Sequence, residues 1–314
     1  MSPTIDVVIP TFGGWPTTER CLASLRRQTV PHAVVVADNG SPDGTPERLR
    51  ETFPEVALVA LPENLGFAVA CNRGAAAGEG EIVVLLNNDV EARPDFLERL
   101  VAPFSDPAVG SSTPLLLGPD GATIDCVGIA VDPTLAGFSR LHGRPAADAG
   151  EPRPLLAGPL GAGGAYRRSA WEQAGGLDEG VLFYGEDTDL ALRLRAAGWR
   201  AAAATDAVAV HLGSATAGRR SSWQRFQSGF GRGYFARRYG LVRTRVAPRL
   251  LATELLVAAG DAVLNRDLAA ARGRVAGWRA ARGLPKRPPP PAEAVDAAIT
   301  LRESIRLRRV AYRS

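Results

Sequence analysis

Amide and carboxylate side chains follow directly on a short apolar run in the segment EIVVLLNNDVE. The run ends at Leu86, and Asn87, Asn88 and Asp89 come next. A short, continuous apolar run with polar flanks is typical of a strand buried on both faces of a parallel sheet. Ligands bind beyond the carboxyl ends of such strands, so Asp89 could hold a divalent cation and, through it, a phosphate. These residue types also favour turns, and a simple turn after a strand is the alternative.

A second group of carboxylates, Glu186, Asp187 and Asp189, precedes a predicted helix over about 189–197. Asp189 or Thr188 would be the N-cap of that helix, because acidic residues are favoured at its positive end. Glu186 and Asp187 follow an apolar, aromatic run, which predicts a position at the rim of a pocket. A carboxylate there could act as a general base on a hydroxyl.

His211 ends another apolar run, residues 207–210. Together with Asp89, its imidazole could complete a mixed oxygen and nitrogen site for a manganese- or magnesium-like ion. A single histidine is more often structural, so that interpretation also remains open.

The elements predicted to position these residues are strands that alternate with short helices. Strands are predicted over 5–10, 33–37, 56–61 and 81–86, with helices from Thr17 or Thr18 to about Gln28, over 45–52 and over 67–77. This alternation is typical of right-handed βαβ units in a doubly wound, mostly parallel sheet. The strand ends would bring Thr11, Asp38 and Asp89 to one edge, where a nucleotide could bind. The fingerprints of dinucleotide Rossmann domains and P-loop enzymes are absent from the sequence.

The chain beyond residue 93 is less regular. We expect a helix over 94–104, strands near 108–117 and 123–131, and a loop over 133–154. The glycine-rich segment 155–168 could let the backbone approach a ligand closely. Simple loop flexibility is the alternative for that segment.

The composition indicates a globular chain with a full core, since 46% of its 314 residues are hydrophobic. No apolar run reaches the roughly 18 residues of a membrane-spanning helix, and no signal peptide is predicted. The three cysteines are too scattered for a zinc site and fit reduced thiols. We therefore expect a cytoplasmic protein.

Charge is distributed unevenly along the sequence. Residues 219–314 contain 21 Lys and Arg against 6 Asp and Glu, whereas residues 1–218 contain 16 against 27. A basic tail suggests an anionic partner such as a membrane surface, a diphosphate or nucleic acid. The tail is predicted to be helical, either packing on the core or in a dimer, or lying on an anionic leaflet as a cationic amphipathic surface. It has no signature of a nucleic-acid-binding motif.

Six segments in order carry a family resemblance. They are VVIPTFGG, VVVADNGSPDGT, PENLGFAVACNRG, LLNNDVE, GGLDEGVLFYGEDTDLALRLRAAGW and HLGSATAG. Together they resemble family 2 glycosyltransferases of the GT-A fold, above all the branch that contains bacterial rhamnosyltransferases. The resemblance implies an α/β GT-A catalytic domain over 1–215, with a nucleotide-binding half (1–105) and an acceptor-binding half (106–215), followed by a basic helical extension over 216–314.

The resemblance also implies roles for single residues. At the nucleotide base and ribose it places Pro10, Thr11, Phe12 and Asp38. Along the nucleotide and diphosphate it places Asn64, Gly66 and Asn72, and Asn88 is a further expected cofactor-binding residue.

The Asp-x-Asp metal motif of the family corresponds to Asn87-Asn88-Asp89. Its first aspartate is replaced, which makes Asp89 the surer ligand of a Mn²⁺ or Mg²⁺ ion. His211 matches a histidine that contacts the metal or the diphosphate. The Glu-Asp pair of the family falls on Glu186 and Asp187, with Asp187 as the base.

The function that these residues imply is inverting transfer of a sugar from a nucleoside-diphosphate sugar, with a dTDP-rhamnose-like donor favoured. The acceptor hydroxyl would belong to a glycan or a lipid-linked glycan, with contact between the tail and the inner face of the plasma membrane. Two alternatives remain: a non-catalytic protein that binds nucleotides or polyanions, and a glycosyltransferase of small natural products. A homodimer is also compatible with the sequence, and no nucleic-acid partner is expected.

Overall fold

A mixed β-sheet forms the centre of the protein. The structure, a computed structural model, describes residues 3–213 and 221–311, with side chains up to Arg308. Its strands are β1 (Ile5–Thr11), β2 (Ala33–Asp38), β3 (Ala57–Ala60), β4 (Ile82–Leu86), β5 (Val90–Ala92), β6 (Val109–Leu117), β7 (Ile124–Cys126), β8 (Ile129–Val131), β9 (Gly137–Ser139), β10 (Gly163–Arg167) and β11 (Arg200–His211). Its α-helices are α1 (Trp15–Leu25), α2 (Thr45–Thr52), α3 (Phe67–Ala76), α4 (Phe96–Val101), α5 (Arg168–Ala174), α6 (Glu186–Ala196), α7 (Ser222–Arg238), α8 (Ala247–Asn265), α9 (Ala269–Ala280) and α10 (Leu301–Ala311).

The order of the strands confirms the predicted α/β fold. Within the described residues the main sheet runs β3-β2-β1-β4-β10-β6-β11-β5, with β7 paired to β6. Strands β1 to β4 are mutually parallel, as the βαβ pattern predicts, and β6 is parallel to β11. Strand β10 is antiparallel to both of its neighbours, so it joins the two parallel groups.

Strand β10 lies in the glycine-rich segment for which a close backbone approach or a flexible loop was predicted. Its glycines suit a crowded place, because a Cβ atom at Gly164 would lie 2.3 Å from Cβ of Pro159. Ala165 and Tyr166 are fully buried in the sheet. The predicted loop over 133–154 was also partly wrong, since it contains β9, which pairs with β8. Strand β10 depends on pairing with β4 and β6, which are distant in sequence, and its glycine-rich sequence does not reveal this.

Two helices begin earlier than predicted. Helix α1 starts at Trp15, after Gly14 with φ 75°, and Thr17 lies inside the helix. Helix α6 starts at Glu186, after Gly185 with φ 112°. In both cases a glycine in a left-handed conformation turns the chain into the helix, and a side-chain cap is not used. The predicted caps at Thr17 or Thr18 and at Thr188 or Asp189 are therefore wrong.

The tail consists of helices, as predicted, and two of them cross at glycines. A Cβ atom at Gly233 of α7 would lie 1.9 Å from the carbonyl oxygen of Arg274 in α9. A Cβ atom at Gly277 of α9 would lie equally close to the carbonyl oxygen of Phe230. Glycine therefore lets these two helices approach backbone to backbone.

Acidic groups neutralise part of the basic charge of the tail within the protein. Among the described side chains of the tail, seven arginines have a nitrogen within ion-pair distance of a carboxylate: Arg225, Arg232, Arg238, Arg249, Arg274, Arg287 and Arg308. Across the described ranges, none of the helices has the length and apolar character needed to span a bilayer. The predicted boundary between residues 215 and 216 lies outside the described residues, as do residues 214–218 of the sixth segment.

Candidate active site

A cavity of about 1230 Å³ lies between the carboxyl ends of the strands, the start of α6 and the C-terminal helices. Most residues predicted for the site line it: Pro10, Thr11, Phe12, Asn64, Asn88, Asp89, Glu186, Asp187 and His211. Trp223, Arg232 and Arg306 of the C-terminal region line its other end. The fold therefore brings the strand-end residues and the second carboxylate group to one space.

Asp89 and His211 face each other in this cavity. Oδ1 of Asp89 lies 3.2 Å from Nε2 of His211, and both side chains are largely buried. The contact has the distance of an ion pair but not the direction of a hydrogen bond, because Oδ1 of Asp89 is buried without a hydrogen-bond partner. The pairing of β5 with β11 fixes this approach, since Val90 lies opposite His211.

Asp125 is a site residue that the sequence analysis missed. Its Oδ2 atom lies 2.8 Å from Nδ1 of His211. Burial lowers the pKa of His211, but the contacts with Asp125 and Asp89 outweigh burial and raise that pKa to about 10. Asp125 lies in β7, which pairs with β6 at the sheet edge. Only the unexplained carboxylate within an apolar stretch, TIDCVG, could have pointed to it.

Asp187 is held by three hydrogen-bond donors at the start of α6. Its Oδ2 atom accepts from the backbone N–H of Gly161 at 3.0 Å, and its Oδ1 atom accepts from the N–H and the hydroxyl of Thr188. Burial raises the pKa of Asp187, whereas these donors oppose the rise. Gly161 belongs to the glycine-rich segment, and a Cβ atom there would lie 3.4 Å from the ring of Phe67. The backbone of that segment thus approaches Asp187 closely, whereas its predicted approach to a ligand stays a prediction.

Glu186 is less well supplied with hydrogen-bond donors than Asp187. It is 6% exposed, and its Oε2 atom is buried without a hydrogen-bond partner. Burial and then the charge of Asp187 raise the pKa of Glu186 well above the usual range. The pair therefore favours one proton on Glu186 and a negative charge on Asp187.

Asn88 joins the end of β4 to the loop after β1. Its amide nitrogen donates to the hydroxyls of Thr11 and Thr18 at 3.1 and 2.9 Å. These bonds hold the loop that carries Phe12, which is 39% exposed at the cavity wall.

Asn64 and Gly66 connect the strand-end side of the cavity to the opposite wall. Oδ1 of Asn64 accepts from the amide of Asn39 and from the N–H of Gly66. Gly66 has φ 97°, and a Cβ atom there would lie 3.1 Å from the carbonyl oxygen of Leu182. This position accepts only glycine, because it combines a left-handed φ with a close backbone contact.

Three predicted residues are not among those that line the cavity: Gly66, which lies directly before the lining residue Phe67, Asp38 and Asn72. Asp38 accepts hydrogen bonds from the backbone N–H and the hydroxyl of Ser41, so it shapes the turn after β2. Asn72 donates to the carbonyl of Leu177 and accepts from its N–H. It ties α3 to the segment before the Glu186-Asp187 pair.

Comparison with known proteins relates this site to a family. Residues 6–121 match the model of the family described as "Glycosyl transferase family 2". The chain is 33% identical to N-acetylglucosaminyl-diphospho-decaprenol L-rhamnosyltransferase of Mycobacterium tuberculosis, over 70% of this chain and 79% of that protein. The chain belongs to glycosyl transferase family 2. It is also 31% identical to the O-antigen biosynthesis protein RfbC of Myxococcus xanthus, over 68% of this chain and 18% of that protein.

Solved structures agree with this family assignment. A mannosyltransferase from Pyrobaculum calidifontis, in complex with GDP-Man and Mn²⁺, matches with a TM-score of 0.53 and 25% identity, over 90% of this chain and 76% of that chain. The structure of GalNAc-T7 with UDP, GalNAc and Mn²⁺ matches with a TM-score of 0.56 and 17% identity, over 80% and 51% of the two chains. The second match concerns the fold alone.

The predicted GT-A fold and the predicted activity are both confirmed. This family 2 enzyme is a glycosyltransferase that uses a nucleotide-sugar donor. In the part of the chain that the structure describes, no group of three or more His, Cys, Asp and Glu side chains is placed to hold a metal ion. Asp89 and His211 are the two side chains of the predicted metal site, and they lie 3.2 Å apart.

Proposed function

We propose that this glycosyltransferase moves a deoxyhexose such as rhamnose from its dTDP-linked form to a hydroxyl of a lipid-diphosphate-linked glycan. The name of the Mycobacterium tuberculosis relative, an L-rhamnosyltransferase of a diphospho-decaprenol acceptor, supports this donor and acceptor class. The observation that carries the proposal is that Asp89 with His211 and Asp187 with Glu186 line one cavity. The first pair could neutralise the charge of a leaving diphosphate, and the second could take the proton of an attacking hydroxyl.

Asp187 is the general base of the proposed reaction. Its two oxygens are oriented by Gly161 and Thr188, so the carboxylate has a fixed direction beside the acceptor end of the cavity. It accepts the proton of the acceptor hydroxyl, whose oxygen forms the new bond to the anomeric carbon. The bond from that carbon to the diphosphate breaks on the opposite face. One displacement of this kind inverts the anomeric centre and needs no covalent intermediate.

The residues at the other end of the site fit a divalent cation. The buried, unpartnered Oδ1 atom of Asp89 and Nε2 of His211 lie 3.2 Å apart. Asp125 holds the other ring nitrogen of the histidine, as is usual for metal-binding histidines. Mn²⁺ or Mg²⁺, held by Asp89, His211 and substrate phosphates, would neutralise the charge that develops on the leaving diphosphate.

A membrane surface is the proposed location of the acceptor. Helix α8 exposes five large apolar side chains: Leu251, Leu255, Leu256, Val263 and Leu264, each more than half exposed. Arginines exposed before and after α8, Arg243, Arg245, Arg266 and Arg272, add positive charge. An exposed apolar surface with flanking cations suits an anionic leaflet.

Binding of nucleotides tests the donor site. We would measure the melting temperature with UDP, GDP and dTDP, each with and without Mn²⁺ or Mg²⁺. A ligand that binds only the folded state raises this temperature. The proposal expects a metal-dependent shift with dTDP that is lost in Asp89→Ala, followed by rhamnosyl transfer from dTDP-rhamnose to a prenyl-diphosphate-linked N-acetylglucosamine. Absence of any nucleotide shift would contradict the site.

A further inference from the structure

Three arginines line a smaller recess that opens from the wall of the main cavity. The recess has a volume of about 160 Å³ and shares Gly137, Phe138 and Arg232 with the main cavity. Its charged lining residues are Arg232 of α7, Arg274 of α9 and Arg308 of α10. Carboxylates are absent from its described lining. The recess is therefore a cationic pocket that adjoins the main cavity.

One carboxylate balances these three arginines. Glu254 of α8 accepts from Arg232 and Arg308 through Oε1 and from Arg274 through Oε2, at 2.8 to 2.9 Å. Burial raises the pKa of Glu254, but the three arginines outweigh burial and hold it well below the usual range. Glu254 therefore carries a full negative charge and leaves the group two positive charges in excess.

The neighbouring ionic groups do not remove this excess. Asp132 lies near Arg232 and Arg308, but it is also paired with Arg249 at 3.5 Å. Asp132 further accepts from the hydroxyls of Thr134 and Ser304. Within the described residues, this ionic cluster thus holds four arginines and two carboxylates. Asp261 and the Arg225–Asp267 pair lie outside this cluster, on the side of Arg274.

Within the described residues, two nitrogens of the Arg308 guanidinium have no hydrogen-bond acceptor. It is 8% exposed, and its Nε and Nη2 atoms are buried without a hydrogen-bond partner. A buried guanidinium with unpaired donors costs free energy unless a ligand or water satisfies it. Arginine presents several N–H groups in a planar fork, the arrangement that matches phosphate oxygens. A phosphate oxygen in the recess would satisfy these donors and offset the excess charge.

We infer that the recess of Arg232, Arg274 and Arg308 binds the diphosphate of the acceptor, while the acceptor sugar lies in the main cavity. This inference rests on the proposed function for the identity of the acceptor. Helices α7, α8, α9 and α10 each supply one ionic group of this site. The C-terminal region would then select acceptors by their phosphate groups, at a place separate from the nucleotide contacts.

Two acceptors that differ only in the diphosphate test the inference. The probes are N-acetylglucosamine joined to a farnesyl chain through a diphosphate and the same sugar joined to farnesol directly. We expect kcat/KM to be at least tenfold higher for the diphosphate acceptor. The ratio of kcat/KM for the diphosphate acceptor to kcat/KM for the acceptor without diphosphate should fall at least tenfold in Arg274→Gln and in Arg308→Lys. The fall should come from a higher KM for the diphosphate acceptor, with the KM for the donor unchanged.

Arg279→Gln is the matched control, because Arg279 is an exposed arginine of the same helix as Arg274. The ratio should equal that of the wild type in this variant. Equal use of both acceptors by the wild type, or an equal ratio in Arg274→Gln and Arg279→Gln, would overturn the inference. If neither acceptor is used with any nucleotide sugar, the proposed function fails, and the recess is then tested by binding alone.

That binding measurement uses farnesyl diphosphate and inorganic phosphate in the presence of EDTA, which removes metal-dependent binding at the nucleotide site. We expect farnesyl diphosphate to raise the melting temperature of the wild type and of Arg279→Gln, and the shift to disappear in Arg274→Gln. An equal shift with inorganic phosphate would identify a site for free anions and would contradict the assignment to the acceptor.

Discussion

Nδ1 of His211 lies 2.8 Å from Oδ2 of Asp125, although the two residues are 86 positions apart in the chain. Because Asp125 orients the ring, Nε2 of His211 points towards Asp89. Asp125→Ala should lower kcat/KM by about 10- to 100-fold, the usual cost of removing the partner of a metal-binding histidine. It should also raise the Mn²⁺ concentration that gives half of the maximal activity. Asp206→Asn is the control, because Asp206 is an exposed aspartate of β11, the strand that carries His211.

Asp187, the proposed base, gives the second prediction. Asp187→Asn keeps the shape of the side chain but removes its ability to accept a proton, so kcat should fall by about 10²- to 10⁴-fold. Nucleotide binding should be retained, because the proposal places Asp187 on the acceptor side of the cavity. Steady-state kinetics and the thermal shift with dTDP measure the two effects. A variant with nearly wild-type kcat would show that another group takes the proton.

Acid should inhibit the wild-type enzyme through the same residue. Asp187 accepts a proton only as a carboxylate, and burial raises its pKa. The acid limb of the kcat profile should therefore lie above the usual titration range of an aspartate, about pH 3.9. A profile of kcat from pH 4 to pH 9 at saturating substrates gives the position of this limb. Activity that stays constant down to pH 4 would contradict the assignment.

Glu186 gives a prediction for stability. Its raised pKa means that the folded protein keeps a proton that the unfolded chain releases above about pH 4.3. Rising pH therefore lowers the stability of the wild type between that value and the raised folded pKa. Glu186→Gln has no such proton, so it should melt at a higher temperature than the wild type at pH 7 and lose this advantage at pH 4. Glu172→Gln, at an exposed residue of α5, should show no such difference.

The sequence was sufficient to predict one half of the fold and most of the site. Strands β1 to β4 are parallel neighbours with continuous apolar runs, so local pattern alone revealed them. Strand β10 was missed because its residues Gly163 and Gly164 are typical of loops and its partners are distant in sequence. Asp125 was missed for the same reason, since its role exists only through the approach of β7 to the end of β11. Asp89, Asp187 and His211 were found because each stands at the end of a recognisable element.

The crossing of α7 and α9 gives a matched pair of glycine substitutions. Gly233→Ala would place a methyl group 1.9 Å from the carbonyl oxygen of Arg274, so the helices must separate, at a cost of about 1–3 kcal/mol. Gly260→Ala, in α8, meets no atom within 4 Å and should stabilise that helix by roughly 0.5–1 kcal/mol. Urea denaturation measures both changes. Equal effects of the two substitutions would show that the close crossing is not needed for stability.

The exposed side of α8 gives the last prediction. Changing Leu255 and Val263 together to Glu should weaken sedimentation with vesicles that contain phosphatidylglycerol at least tenfold, because both side chains are about three-quarters exposed. Leu284→Glu, at an exposed leucine outside the helix, should bind as the wild type does. If the double variant instead turns a dimer into a monomer with unchanged vesicle binding, the apolar side of α8 is an interface between two copies.

Arg287 connects the C-terminal region to α6, the helix that carries the proposed base. Its Nη2 atom lies 2.6 Å from Oδ2 of Asp178 and 3.3 Å from Oδ2 of Asp189, and Asp189 is fully buried two residues after Asp187. Arg238 of α7 also lies within ion-pair distance of Asp178. A hybrid enzyme that joined residues 1–213 to the helices of a relative would deprive Asp178 of two cations and Asp189 of one, unless the new helices supplied equivalent arginines. Exchange of acceptor specificity between members of the family by recombination is therefore restricted to partners that carry these cations.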